Sequence, residues 1–434
     1  MLLKKINVGI FFVISSVSVE FLGWGFIDPL FSSFLNLIFN NFFIVGLICG
    51  TQSFFAIFSV PVAEKLIEKV SAVFVLKIEK IFLFFETFFY FLGGFLSLKI
   101  LIFIAPFFGG FRNAFRDVAV REYLMEKSNN KNASTILGTN ISVRRILWSI
   151  SAIFSGFFLM SAANYLHISF EKVFSVLFLP AIFLIPAATF FVFKIPRDNE
   201  EKFHHPVKIK DFLGFWEIRK LVQKFFIQKT HIQFSLLLIL FLQIILAMIL
   251  IFIPLYAIQI NLPLEKIGIL MAAIYLPILF SAIFSIFEDR IDRMSFVIFG
   301  LIFSSVLFAL LAFAKAPVEI AIFSMLISFS VAIIRPANLG IIASETPHSE
   351  AKEVAALQIF FSRLGAFLGS IFLGTLAEKF GIEIALIWIA TISSFFSIFA
   401  IFIKLRFREK KEIPHLEKWK IHPIYSEHFH VHEI

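Results

Sequence analysis

The sequence predicts an all-α polytopic membrane protein whose twelve transmembrane helices form two six-helix pseudo-repeats. The first supporting observation is composition. Of 434 residues, 59% are apolar and only 16% are charged, which is far more apolar surface than a soluble domain of this size buries. The second observation is a series of long apolar segments, and the third is a set of charged motifs that recurs in both halves of the chain.

The apolar segments are each long enough to cross a bilayer at the helical rise of about 1.5 Å per residue. The first is too long for the core of a signal peptide and has no small-residue cleavage site, so we expect it to remain as a helix. The twelve segments are 6–35, 42–62, 73–98, 100–120, 138–164, 170–194, 232–257, 267–287, 295–314, 317–342, 353–378 and 382–404.

The distribution of lysine and arginine predicts the topology. Most of these residues lie in connections on the N-terminal side of the membrane. This asymmetry is a positive-inside signal, which predicts cytoplasmic termini in a multi-pass protein of the cell (plasma or cytoplasmic) membrane. The net charge of +9 is therefore attributed to topology rather than to nucleic acid binding. The connections on the other side contain only Lys99, Lys172, Lys266, Lys315 and Lys379.

The longest connection divides the chain. We predict an N-terminal six-helix bundle over 1–194, a cytoplasmic linker with an amphipathic helix over 195–231, a C-terminal six-helix bundle over 232–405 and a cytoplasmic tail over 406–434. The tail contains alternating histidines, but no cysteine accompanies them, so we predict neither a metal site nor a cofactor.

The first segment carries the residues on which the predicted function depends. Glu20 lies near its middle, where a charge is costly unless it is paired or lines a wet cavity. On a helix, Glu20, Trp24 and Asp28 share one face, with the two carboxylates about 12 Å apart along the axis. An acid at this depth usually marks an ion or proton path. The alternative is a carboxylate that only stabilises the bundle by pairing with an arginine.

Charged motifs repeat between the halves in the same order. One is the pattern acid-x-x-x-acid-base-x-Ser after the second and eighth segments, and the others are arginines at matching places within segments. Three coincidences in register predict a duplicated six-helix unit, as in transporters built from parallel repeats. The matching residues are Glu64 and Glu288, Arg112 and Arg335, and Arg145 and Arg363, which are 224, 223 and 218 residues apart.

We expect most of these residues to form ion pairs that close the cytoplasmic side. A rival interpretation is an anion funnel, since arginines inside a membrane suit a phosphate or carboxylate substrate. We assign Arg112 and Asn113 to the proton and substrate site, together with Glu20. Glu86 stands alone among apolar residues, and we assign no role to it. The predicted gate consists of Glu64, Glu68, Lys69, Arg116, Asp117, Arg144, Arg145, Glu288, Asp292, Arg293, Arg335 and Arg363.

The segment from Pro61 to Ser71 resembles the loop signature that the major facilitator superfamily carries after its second helix. It keeps the preceding proline, an acid (Glu68) at the signature's aspartate position and the basic residue Lys69 after it. Glu64 and Ser71 replace the two glycines of the signature. The resemblance covers the chain except its tail, and it implies twelve helices in two sets of six.

Within that superfamily, the first helix is similar to that of proton-coupled multidrug antiporters. Some of these carry a membrane acid in helix 1, a second acid two turns later and an arginine in helix 4. Glu20, Asp28 and Arg112 match this arrangement in residue type and helix. The resemblance implies proton coupling at Glu20, and the loop signature implies that Glu68 and Asp292 latch the cytoplasmic gate.

The predicted function is secondary active transport by alternating access, preferably proton-coupled efflux of a small amphipathic molecule by a monomer in the lipid bilayer. One alternative is a proton symporter or anion exchanger for a small organic, sugar or phosphorylated solute. Another is a non-transporting scaffold or lipid-handling protein. The sequence contains no ATP-binding loop and no nucleophile elbow, so neither an ATP-driven pump nor an enzyme is expected. The single cysteine, Cys49, excludes a disulfide framework.

Overall fold

The computed structural model describes residues 8–127, 133–166, 170–196, 222–279, 292–347 and 350–408. Within these ranges the chain is all-helical and contains no strand. The predicted amphipathic part of the linker, the gate residue Glu288 and the histidine-containing tail lie outside the described residues.

Polar residues mark the turn between the first two helices of the N-terminal half. Asn40 adopts a left-handed conformation, with φ 46°, which asparagine tolerates better than most residues. The Asn41 side chain then accepts a hydrogen bond of 2.9 Å from the Ile44 N–H and caps the second helix,. The helices are α1 Val8–Phe39, α2 Phe42–Lys69, α3 Ala72–Phe95, α4 Lys99–Glu126, α5 Ala133–Leu166, α6 Phe170–Ser175 and α7 Phe178–Phe193.

The C-terminal half contains one interrupted helix. Pro254 has no N–H to donate to the carbonyl four residues earlier, and the helix widens into a π-helical turn, Met248–Phe252, just before it,. The helices of this half are α8 Thr230–Ala247, α9 Ile253–Gln259, α10 Leu264–Leu279, α11 Arg293–Phe313, α12 Pro317–Glu345, α13 Ala351–Phe380 and α14 Ile382–Arg408. Each of the twelve apolar segments in the sequence overlaps at least one of the helices in the two halves.

By length and composition, nine helices in the described part of the chain could cross a membrane. The long helices α3 and α4 are not among them. Both carry several charged residues near their middle, which distinguishes them from the other long helices. The molecule is a multi-pass membrane protein, and the two charged helices form its candidate functional site.

The two halves share their apolar core at one end of the bundle only. We call the end where α1 passes into α2 the Asn41 end, and the end where α2 passes into α3 the Ser71 end. One continuous cluster of buried side chains includes Phe34 of the first half and Phe252 of the second. Nearer the Ser71 end, two further clusters, around Val75 and around Leu357, are each confined to one half.

Small residues allow the close contact between the halves. A Cβ atom on Gly46 of α2 would lie 2.2 Å from the Ser370 carbonyl oxygen of α13. A Cβ atom on Gly156 of α5 would lie 2.3 Å from the Leu264 carbonyl oxygen of α10. Both distances are far below van der Waals contact, so only glycine fits these two positions without a shift of the backbone.

A polar link also joins the halves at the Asn41 end. The Glu378 carboxylate of α13 accepts hydrogen bonds from the Phe42 N–H at 2.7 Å and from the Asn41 side-chain amide at 3.0 Å. The Phe42 N–H has no acceptor within its own helix, because it lies at the start of α2. Glu378 therefore caps a helix of the opposite half.

Candidate functional site

Glu20 lies at the centre of a buried cluster of charges contributed by α1, α3 and α4. Its carboxylate accepts hydrogen bonds from Lys80 at 2.9 Å and from Arg116 at 2.7 Å. The Arg112 Nε lies 4.0 Å away. The side chains of Glu20 and Lys80 are almost wholly buried, as is most of Arg116. Ion pairs in a membrane interior hold each other in place because no water is available to replace a lost partner.

The cluster extends to two further acids of α3. Glu79 pairs with the neighbouring Lys80 at 2.9 Å, and Glu86 pairs with Arg112 at 3.0 Å. The Gln52 amide of α2 donates a hydrogen bond of 2.9 Å to Glu86. Three buried acids therefore face three buried cations, and the cluster is balanced when all six are ionised.

The sequence analysis missed one residue of α3 and gave a wrong expectation for another. Lys80, which is 3% exposed and lies within the helix, was not singled out. Glu86 was expected to stand alone among apolar neighbours, but it contacts both Arg112 and Gln52. Both side chains belong to the same cluster as Glu20.

Trp24 and Asn113 support the arginines of α4. The Arg112 guanidinium lies over the Trp24 ring, 4.1 Å from its centroid, an arrangement in which the ring face attracts the cation. The Asn113 carbonyl oxygen accepts hydrogen bonds from Arg112 at 3.2 Å and from Arg116 at 2.9 Å. The structure therefore brings four of the five predicted proton and substrate residues together. Asp28, the fifth, is half-buried two turns further along α1.

Arg116 connects the cluster to the opposite half. Its Nε lies 3.2 Å from the Asp117 carboxylate, which in turn accepts a hydrogen bond of 2.5 Å from Arg363 of α13. A continuous series of ion pairs thus leads from Glu20 to a helix of the other half. Arg116, assigned to the gate from the sequence, contacts both the buried cluster and the contact between halves.

The acids of the repeated loop motif lie elsewhere. Glu64 and Glu68 are exposed near the end of α2, where Lys69 is the last residue. Asp292 caps α11 and pairs with Lys404 of α14 at 2.8 Å, whereas the sequence led us to expect pairs between this motif and the arginines. Burial alone would raise the pKa of Asp292, but hydrogen bonds from Lys404 and Ser295 and the Lys404 charge hold it below its usual value,.

Three of the remaining gate arginines contact aromatic rings or backbone. Arg144 lies 5.1 Å above the Phe21 ring and Arg145 lies 4.7 Å above the Trp148 ring. Arg293 donates a hydrogen bond of 2.9 Å to the Gly340 carbonyl. Arg335 is exposed on α12.

Comparisons with known proteins address the fold. Residues 261–429, less than half of the chain, match the family model of the Major Facilitator Superfamily. The structure of a D-xylose-proton symporter superposes with a TM-score of 0.73 at 11% identity, covering 91% of this chain and 96% of that one. The nucleoside transporter NupG gives 0.66 at 16% identity and covers 91% and 98%. The chain therefore shares the fold of these two solved transporters, and the superfamily model matches its C-terminal part.

A third structure with a similar fold is the xylose transporter XylE from E. coli in a partially occluded inward open conformation. It gives a TM-score of 0.67 at 12% identity and covers 91% of this chain and 97% of that one. A comparison with curated protein sequences gives no match. The prediction of an all-helical membrane protein is confirmed. The twelve spans, the cytoplasmic termini, membership of the superfamily and the antiporter branch remain predictions.

Proposed function

We propose that the protein is a proton-coupled secondary transporter that works by alternating access and binds its solute between the two halves. The single observation that carries this proposal is the buried cluster around Glu20. Charges at the middle of a membrane helix are costly, and they usually mark the path of an ion or proton. A cluster of three acids and three cations exceeds what is needed to join three helices, because apolar contacts do so without that cost.

The proposed topology has twelve spans with both termini in the cytoplasm of the cell membrane. The Ser71 end then faces the cytoplasm, and the halves share their core at the outer, Asn41 end. The separate cores at the Ser71 end support an inward-facing arrangement. Similarity of the fold to the nucleoside transporter NupG and to a D-xylose-proton symporter supports a transporter rather than an enzyme.

Arg116 provides the proposed coupling between proton binding and movement of the halves. It is shared between Glu20 and Asp117. A proton on Glu20 removes the negative charge that holds Arg116, and the guanidinium then turns fully to Asp117. Arg363 loses part of its attraction to that carboxylate, which weakens the contact between α4 and α13.

Two transport directions suit this cluster. Efflux of a small amphipathic molecule against proton entry is supported by the placing of Glu20, Asp28 and Arg112, which matches proton-coupled antiporters. Uptake together with protons is the second candidate, and it is favoured by the similarity of the fold to that of a D-xylose-proton symporter. Neither direction requires a metal, cofactor or second chain.

The test is proton movement in proteoliposomes that contain the purified chain and a pH-sensitive dye. Lipophilic cations, organic anions, a pentose and a nucleoside are added in turn under an imposed pH gradient. Wild type is compared with Glu20→Gln and with Glu122→Gln, the same substitution at an exposed position of α4. We expect solute-dependent proton movement in wild type and Glu122→Gln, and a loss of at least tenfold in Glu20→Gln.

The sign of the dye response separates the two directions. An antiporter releases protons from the lumen as the added solute enters, whereas a symporter carries protons in with the solute. If Glu20→Gln keeps wild-type proton movement and Glu86→Gln loses it, the proton-binding residue is Glu86 rather than Glu20. Silence of wild type towards the whole panel would overturn the transport proposal.

A further inference from the structure

We infer that Glu79 and Lys80 deliver the proton to Glu20. In this relay Glu79 takes a proton from water, and Lys80 passes its own proton to Glu20 and then takes the proton of Glu79. The inference adds two proton-transfer residues to the buried cluster and, for coupling to transport, rests on the proposed function.

The first observation is the chemistry of the three cations around Glu20. The Arg116 Nη1 lies 2.7 Å from its carboxylate, and the Arg112 Nε lies 4.0 Å from it. A guanidinium group keeps its protons in a protein, so neither arginine can pass one on. Lys80, at 2.9 Å, carries an ammonium group that can release a proton,. A proton that reaches Glu20 through these partners therefore comes from Lys80.

The second observation is the position of Lys80 between two carboxylates. Its Nζ lies 2.9 Å from the Oε2 of Glu20 and 2.9 Å from the Oε2 of Glu79. Both distances are within the range at which a proton moves directly from one heavy atom to the next. None of the three side chains is more than 3% exposed. The ammonium group is therefore placed to exchange protons with either acid.

The third observation is that Glu79 has few partners. Apart from its ion pair with Lys80, its carboxylate accepts no hydrogen bond from another residue in the described part of the chain. Glu20, by contrast, pairs with three cations. A buried carboxylate with a single partner is poorly stabilised as an anion, and a proton removes the cost of burying its charge. Glu79 is therefore suited to take up the proton first.

The proposed steps balance in protons and charge. Transfer from the Lys80 ammonium to Glu20 leaves a neutral amine and a neutral carboxyl group, and buried charges tend to neutralise in this way. The protonated Glu79 then gives its proton to the amine, so Lys80 ends as an ammonium and Glu79 as a carboxylate. Because α3 packs mainly on α4 and α7 of the first half, the proton reaches Glu20 from within that half.

The experiment measures how fast Glu20 is protonated in the purified full-length chain in detergent. A rapid drop in pH is followed by infrared spectroscopy, in which each protonated carboxyl group gives a carbonyl band. Glu20→Gln and Glu79→Gln identify the bands of these two residues by removing them. We expect Lys80→Arg, which keeps the charge but has no transferable proton, to slow the Glu20 band at least tenfold. The rate of the Glu79 band should not change in this variant.

Two further variants separate proton transfer from a structural role. Glu79→Gln should also slow the Glu20 band at least tenfold, and Glu79→Asp, which keeps an acid, should restore part of the rate. The matched control is Lys77→Arg, the same substitution one turn earlier on α3, where the lysine Nζ lies 5.3 Å from the centroid of the Phe193 ring. It should leave the Glu20 band unchanged. Rates are compared at the pH that gives each variant half of its full Glu20 band, and gel filtration verifies folding.

Two outcomes would overturn the inference. One is a wild-type rate of the Glu20 band in Lys80→Arg or in Glu79→Gln, and the other is the absence of any band that Glu20→Gln removes. The proposed function fails separately. Slow Glu20 protonation in both variants, together with no solute-driven proton movement in wild-type proteoliposomes, would overturn the transporter alone. Wild-type solute-driven proton movement in Lys80→Arg would overturn the relay alone.

Discussion

The two halves have similar folds but very different charges. In the first half, α3 buries Glu79, Lys80 and Glu86. The residues 224 positions later in α11 are Phe303, Ser304 and Leu310. Among the described residues, the hydroxyl of Ser304 donates its hydrogen bond to the carbonyl of Leu301 in its own helix, at 2.9 Å.

The same contrast holds for the matching arginines. Arg112 is buried and paired with Glu86, whereas its equivalent, Arg335, is exposed and has no ion pair among the described residues. The buried charges of α3 and α4 form ion pairs with each other or with Glu20, whereas the described part of the second half has no such buried cluster.

The largest expected effect on stability comes from Lys80, because the equivalent position in the second half has no buried ion pair. In Lys80→Met the carboxylates of Glu20 and Glu79 lose a shared partner, and we expect the free energy of unfolding to fall by about 3–5 kcal/mol. Thermal unfolding in detergent measures the change.

Ser304→Ala is the matched control, because residue 304 is the equivalent position in α11. It removes one hydroxyl bonded within its own helix, so the expected loss is about 1 kcal/mol or less. Equal losses at positions 80 and 304 would remove the contrast between the halves. The double variant Lys80→Met/Glu79→Gln should recover part of the lost stability, because one uncompensated charge is then absent.

An intermediate effect, on how readily the halves separate, is expected at the polar link between Glu378 of α13 and the start of α2. Glu378→Ala removes two hydrogen bonds to the start of α2, which should favour separation of the halves at the Asn41 end by about 1 kcal/mol, or about fivefold. Cys49 of α2 is the only cysteine, so its labelling by a membrane-impermeant maleimide should accelerate by a similar factor. Glu383→Ala, at the same end of the bundle, should leave the rate unchanged. An unaltered rate in Glu378→Ala would show that glycine packing alone holds this end closed.

The smallest effect is expected at Asp292, whose partner Lys404 lies in the same half. Because the folded pKa of Asp292 is lowered, the stability from this pair is fully present above the unfolded value of about 3.9. It is lost as the pH falls through the lower folded value. Both side chains are partly exposed, so the contribution is below about 1 kcal/mol. Comparison of wild type and Asp292→Asn between pH 7 and pH 3.5 should show the difference shrinking at low pH, and a difference that grows would contradict the assignment.

Hydropathy predicted the helices well because a bilayer imposes their length and composition. It placed helix ends less well: α2 continues to Lys69, past the predicted end at residue 62. Polar residues at a membrane surface need not end a helix, because the backbone hydrogen bonds continue into water.

The candidate site was predicted only in part. Periodicity placed Glu20 and Trp24 on one face, and the structure adds that Arg112 contacts the Trp24 ring. The sequence associated Glu20 with Arg112, but the closer partner is Arg116, one turn further along α4. Which of the two arginines contacts Glu20 depends on the position of α4 along the axis of α1. The packing of many side chains fixes that position, and no local sequence pattern encodes it.

The buried charges also have a consequence for how the protein enters the membrane during synthesis. A single Lys, Arg or Asp at the centre of an isolated helix costs about 2.5–3.5 kcal/mol on insertion. The α3 and α4 helices carry several such residues, including Lys80 and Arg116, and their main acid partner, Glu20, lies on α1. These three helices therefore enter lipid at low cost only together, with α1 retained beside the insertion channel until α4 has been made.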